Sequence, residues 1–200
     1  VLITEMAGRA SVELKGRELG YDLSQDPGLL TRVVDQVKEL EAQGWTFEAA
    51  DASFELLLRA DDGLTRAFEV ESWRTIVEQL SDGEVKSEAT VKVHAGGERI
   101  ISTSEGNGPV NALDKALRAA VMQIYPELEA LRLVDYKVRI LEGASGTGAV
   151  TRVLVGTSDG TSEWSTVGVH ENVIAASWRA LEDAVMFGLL RNARRQEGNP

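Results

Sequence analysis

Apolar residues recur along this chain with two different periods, and the change from one to the other divides it. Leu29, Leu30, Val33, Val34, Val37 and Leu40 fall on one helical face. Asp26-Pro27 supplies a cap and a first helical position, and Gly44 ends the run. Phe47, Ala50, Phe54, Leu57 and Leu58 mark a second stripe, which predicts a helix from Phe47 that breaks at Asp61-Asp62-Gly63. The first sixty residues therefore read as helices. From about Arg66 the texture becomes that of strands: Arg66–Gln79, Val85–Ala95 and Arg99–Ser104, then a helix over Pro109–Ile124. After Tyr125-Pro126 the order returns, with strands over Leu133–Leu141, Ala149–Thr157 and Ser162–Val169 and a last helix over Asn172–Leu190. Arg191–Pro200 is polar and expected to fray.

The two later stretches superpose with a shift near 64 residues. Val91 falls on Val155, Gly96 on Gly160, Ala112 on Ala176, Ala116-Leu117 on Ala180-Leu181 and Ala120-Val121 on Ala184-Val185. The predicted fold is thus α+β: a helical linker subdomain over residues 1–63, then a duplicated βββα two-layer domain over 64–200, with units at about 64–128 and 129–190. Duplication creates a pseudo-symmetric seam. Trp73, Trp164 and Trp178 read as core or interface anchors, with Trp164 and Trp178 expected where two copies pair about a two-fold axis.

Composition narrows the function. A net charge of −11 disfavours nucleic acid and anionic membrane surfaces as partners. The chain has no cysteine, so disulfides and thiolate chemistry are excluded, and a cytoplasmic setting fits. No apolar run is long enough to cross a bilayer. The two histidines, His94 and His170, lack metal-ligand spacing, and no nucleophile elbow is present. Glu69, Glu71, Glu78, Glu84 and Glu88 read as solvated strand faces. One local feature could hold a ligand. Gly106-Asn107-Gly108-Pro109 leads a strand into a helix, and a helix start behind small residues offers free N–H groups to a carboxylate. The same residues read equally as a tight strand-to-helix turn.

Longer segments resemble a known family. Phe47 to Arg59, Ser87 to Val93, Gly106 to Leu113 and Thr166 to Trp178 are similar to the linker and regulatory regions of citramalate synthases, in the isopropylmalate synthase/homocitrate synthase superfamily. Thr4-Glu5-Met6-Ala7-Gly8-Arg9 resembles the family's linker stretch, with Ala7 where a polar residue is commoner. The resemblance implies a linker plus allosteric domain that forms a homodimer and binds isoleucine as feedback inhibitor. A leucine-binding domain of the isopropylmalate type, and a dimerisation module without effector, are the alternatives. The family's chemistry resides in a barrel whose divalent metal is held partly by a His-x-His motif, a motif these 200 residues lack. No cofactor is therefore expected here, nor condensing activity from this stretch alone. The resemblance implies effector contacts from Gly106, Asn107 and Gly108 with Leu133, Tyr136 and Ile140, closed by the loop of Thr147 and Ala149. Each of Leu133, Tyr136 and Ile140 also reads as an ordinary strand residue. Coupling is expected to run through Asp61-Asp62-Gly63 as a hinge.

Overall fold

The computed structural model describes residues 4–61, 66–141 and 149–196. Three helices come first: α1 (Thr4–Glu18), α2 (Pro27–Ala42) and α3 (Asp51–Asp61). The Asp26 carboxylate accepts from Leu29 N–H at 2.9 Å, so α2 starts where the cap predicts. Phe47 and Ala50 are buried but precede α3 as an ordered turn, so the second helix begins four residues later than its apolar stripe suggested. Gly44 sits at φ +100°, the left-handed conformation that ends a helix readily with glycine.

Two antiparallel three-stranded sheets follow, each closed by one helix. The first unit is β1 (Phe68–Gln79), β2 (Val85–Ala95), β3 (Glu98–Gly106) and α4 (Pro109–Val121). The second is β4 (Arg132–Ile140), β5 (Thr151–Ser158), β6 (Glu163–His170) and α5 (Val173–Gln196). Each sheet runs in sequence order with the middle strand central. The predicted α+β duplication is the observed architecture, and its equivalences hold in three dimensions: Val91 and Val155, Ala112 and Ala176, Leu117 and Leu181 are all buried in one core. Alternation explains the layers. Ala89, Val91 and Val93 turn inward onto α4, while Lys92 and His94 turn outward.

Glycine sets how closely each helix approaches its last strand. A Cβ on Gly106 would lie 2.6 Å from Ala112 N, and one on Gly168 would lie 1.9 Å from Ala176 O. Ala112 and Ala176 are repeat equivalents, so both units use a strand glycine and a helix alanine to bring backbones together. Gly106 itself is the last residue of β3, paired with Ser87.

The linker helices do not pack on the unit to which the chain next joins them. Their core, built on Leu30, Val33, Phe47 and Phe54, includes Val167 of β6 and packs against Leu154 and Val169. These three residues face the side of the second sheet opposite α5. Arg152 Nε donates to Gly44 O at 2.7 Å across the same contact. The second unit is therefore covered on both faces, by α5 and by the linker. The outer face of the first sheet carries charge, including Glu71, which pairs with Arg99 at 2.6 Å.

Candidate functional site

Three features of the fold bear on function. The first is an apolar row on β4. Tyr136, Val138 and Ile140 lie on the α5 side of the sheet, in register with Val155, Val153 and Thr151. Val153 and Val155 are buried under α5. The β4 row extends past the helix, and Tyr136, Val138 and Ile140 are 40%, 47% and 69% exposed. Tyr136 reaches back to α5 through a 2.7 Å hydrogen bond between its hydroxyl and that of Ser177. Ser177 in turn donates to Val173 O, and Val173 is itself exposed at the start of α5. In the first unit the corresponding row begins with Trp73, stacked on Trp178 at 5.8 Å, and ends with exposed Val77.

The second feature is the glycine turn. Gly108 caps α4 with extended backbone (φ −168°), and no side chain caps the helix there. A Cβ at Gly108 would meet nothing within 4 Å, so the steric demand in this turn belongs to Gly106. Asn107 N–H donates to Asn111 Oδ1 at 3.3 Å. The turn belongs to the first unit and β4 to the second, and no hydrogen bond among the described residues joins them. Leu133 packs against the main core, and Ala149 is buried beside β5. Thr147 lies outside the described residues. Leu133 and Ile140 stand seven residues apart on β4, about 23 Å at about 3.3 Å per residue. The effector residues of the sequence reading are thus spread over three places in one protomer.

The third feature is the joint between linker and second unit, which sequence reasoning did not find. Ser53 on α3 is buried; its hydroxyl donates to Asp183 Oδ2 on α5 at 2.8 Å and accepts from Val167 N–H of β6 at 3.0 Å. One hydroxyl thereby binds three elements. Arg66 pairs with Glu182 at 2.5 Å next to it. At the far end of α5, Arg194 pairs with buried Glu55 at 2.7 Å, and the Tyr21 hydroxyl donates to Glu55 at 2.9 Å and accepts from Arg194. Burial, with Glu55 beside it, raises the Tyr21 pKa. The tail expected to fray from Arg191 is helical to Gln196, because Arg191 and Arg194 have work at this seam. The two tryptophans also differ from expectation. Trp164 donates to Ala184 O inside its own core and Trp178 is covered by Trp73, so neither is free to anchor a second copy.

Burial pushes the Asp183 carboxyl from its ordinary 3.8 up to about 6, against the smaller lowering effects of Ser53 and Arg179; Glu182 adds to the rise and Arg66 opposes it. The folded state therefore holds this proton more tightly than the unfolded chain, and stability falls as pH rises from about 4 to about 6. Asp183→Asn keeps an acceptor for Ser53 and removes the buried charge. It is expected to gain on the order of 2–3 kcal/mol relative to the parent at pH 7.5 and little at pH 4. Denaturant titration of both proteins at the two pH values checks this, and an equal difference at both would refute it.

Among the described residues no cluster of three or more histidine or acidic side chains is placed to hold a metal ion, and no described helix is long and apolar enough to cross a membrane. Residues 48–189 match the family model of the LeuA allosteric (dimerisation) domain. The chain is 66% identical over 193 residues to an (R)-citramalate synthase of Streptomyces coelicolor, covering 96% of this chain and 36% of that protein. It is 41% identical to the (R)-citramalate synthase of Aquifex aeolicus, over 96% of this chain and 37% of the relative. A 2-isopropylmalate synthase of Acetivibrio thermocellus is 25% identical over 98% of this chain. The chain thus spans about a third of the length of these relatives.

Proposed function

The chain belongs to the LeuA allosteric (dimerisation) domain family, and on that premise we propose that it is the regulatory, dimer-forming region of a citramalate synthase, with isoleucine as its feedback effector. The parent enzyme would condense acetyl-CoA with pyruvate using a divalent metal in a catalytic part outside this chain. The observation that carries the reading is the apolar row Tyr136–Val138–Ile140, left exposed beside the start of α5 in a domain of a dimerisation family. A second copy laid against this row would bury it. The pocket we assign to the effector lies along it, with Tyr136 and Ile140 as apolar contacts. Leu133, Ala149 and Thr147 are assigned to its ends. The Gly106–Gly108 turn would reach the ligand's carboxylate from the partner copy, since within one copy it belongs to the other unit. Higher identity to (R)-citramalate synthases than to the 2-isopropylmalate synthase supports isoleucine over leucine.

Calorimetric titration of the chain with isoleucine, leucine and valine tests the proposal. Isoleucine is expected to bind tightest, with leucine weaker by a factor of about 10–100, since a misplaced branch costs about 1–3 kcal/mol. Ile140→Ala is expected to weaken isoleucine at least tenfold. Tighter leucine binding would favour the isopropylmalate type, and absence of any binding would leave a dimerisation module alone.

A further inference from the structure

A cavity of about 520 Å³ lies at the seam between α3 and the second unit, walled by α3, the end of α1, β6 and the C-terminal half of α5. That volume is in the range of small-molecule sites. Its chemistry is unusual for a seam. The Arg191 guanidinium carbon lies over two rings, 5.7 Å from the centroid of Trp164 and 5.9 Å from that of Phe187. Among the described residues its one hydrogen bond goes from Nη2 to Ser162 Oγ at 2.8 Å, and its buried Nε has no partner. A guanidinium has five donors, so this cation is mostly unused. On the same wall Glu163 carries a carboxylate with no partner among the described residues, and Ser165, on the same face of β6, adds a hydroxyl. The other two acids are already neutralised: Asp51 by Lys15 at 2.5 Å and Glu55 by Arg194 at 2.7 Å. Among the described residues the cavity therefore presents one cation and one carboxylate without an ionic partner. Leu19, Ala52 and Phe187 give the cavity an apolar part as well.

We propose that this seam cavity is a second ligand site, separate from the β4 row, that takes a free aliphatic α-amino acid, its carboxylate on Arg191 and its ammonium on Glu163. A zwitterion meets both charges, the guanidinium inside the cavity and the exposed Glu163 carboxylate at its rim, whereas a simple anion would use Arg191 alone and a simple cation Glu163 alone. The two rings and Ser162 hold the guanidinium in place, so little side-chain freedom is lost on binding. A ligand here touches the linker helix and the second unit at once. It binds the docked arrangement and not a separated one, and so strengthens the joint that Ser53 and Arg194 already make.

The probe is L-valine, with isobutylamine and isovalerate as analogues lacking the carboxylate and the ammonium. Backbone amide spectra of the whole chain are recorded with each at up to 20 mM. Valine is expected to shift the signals of Ala52, Ser165 and Phe187 in a saturable way, and both analogues to do so at least tenfold more weakly. Arg191→Met and Glu163→Gln should each weaken valine at least tenfold while leaving spectra elsewhere unchanged. Ile140→Ala should leave the seam shifts intact, which separates this site from the one on β4. The proposal is overturned if valine moves none of these signals, if either analogue matches it, or if both charge variants bind it like the parent. Glu163 is exposed, so Glu163→Gln tests the site even where Arg191→Met disturbs the packing of the rings.

Discussion

Replacing Val138 and Ile140 together by glutamate is expected to convert a dimer of twice 21.7 kDa into a folded monomer, with the dissociation constant raised at least about a thousandfold. Both side chains stand on the α5 side of β4 and are about half exposed or more in the single copy. In the dimer they would lose water on burial, and a carboxylate placed there would be desolvated with no partner, a cost of several kcal/mol for each charge. The single protomer has little to lose, since neither position supports its core. Arg139 supplies the control. It alternates with these residues on the same strand and points to the opposite face, so Arg139→Glu is expected to leave the mass unchanged. Light scattering at micromolar concentration reads all three proteins. A dimer that survives the double substitution would place the interface elsewhere, and with it the effector pocket assigned to this row.

The packing of the linker changes the route by which such a pocket would act on a distant catalyst. The sequence points to a hinge at Asp61-Asp62-Gly63, of which Asp62 and Gly63 lie outside the described residues. The chain does pass from α3 to β1 there. Yet α3 is fastened to α5 and β6 of the second unit by Ser53, and the core of the linker continues into Val167. A shift of α5 would thus move α3 directly, without crossing the covalent junction. Tyr136 touches α5 at Ser177, six residues before Asp183 on the same helix. The β4 row and the linker joint are therefore read by one rigid element, which gives an effector two places at which its preference between states can be expressed.

What could be read from the sequence follows from what is local. Helix faces and strand alternation depend on spacing within a few residues, the 64-residue repeat is a recurrence of those local patterns, and all survive in the fold with shifts of a few positions. The α2 cap was legible because Asp26-Pro27 carries its own chemistry. The start of α3 was not, because Phe47 and Ala50 are buried by a turn and mimic a helical stripe. Tertiary choices left no such trace. Nothing near Ser53 announces that a serine on an apolar helix will bond an aspartate 130 residues away. The tryptophans announced burial but not against what: Trp164 and Trp178 are consumed inside one protomer, while smaller aliphatic side chains on β4 remain uncovered. The tail was misread because Arg191 and Arg194 are polar in the sequence and become seam residues only once α5 lies beside the linker.

Gly168→Ala is expected to destabilise the chain by at least about 3 kcal/mol, more than alanine at any other described glycine of the second unit. The added Cβ would sit 1.9 Å from Ala176 O and 2.9 Å from Arg179 Cβ. The obstacle is helix backbone, which cannot swing aside as a side chain can, so the first turns of α5 must lift from β6. Thr166, which donates to Ala180 O at 2.7 Å, would lose its geometry in the same movement. So would the contact between Tyr136 and Ser177, and the exposed row on β4 would lose its neighbour. Gly156→Ala meets Asp135 Cβ at 2.9 Å, but Asp135 stands at the bulge of the edge strand β4, which can shift outward, so the change should cost less, about 1 kcal/mol. Gly108→Ala meets nothing and keeps an extended backbone, and should be neutral. Urea denaturation of the three variants gives the order directly. If Gly168→Ala falls within 1 kcal/mol of Gly108→Ala, the close approach of α5 to β6 is not what holds this unit together, and the shared glycine–alanine device of the two units would lose its meaning.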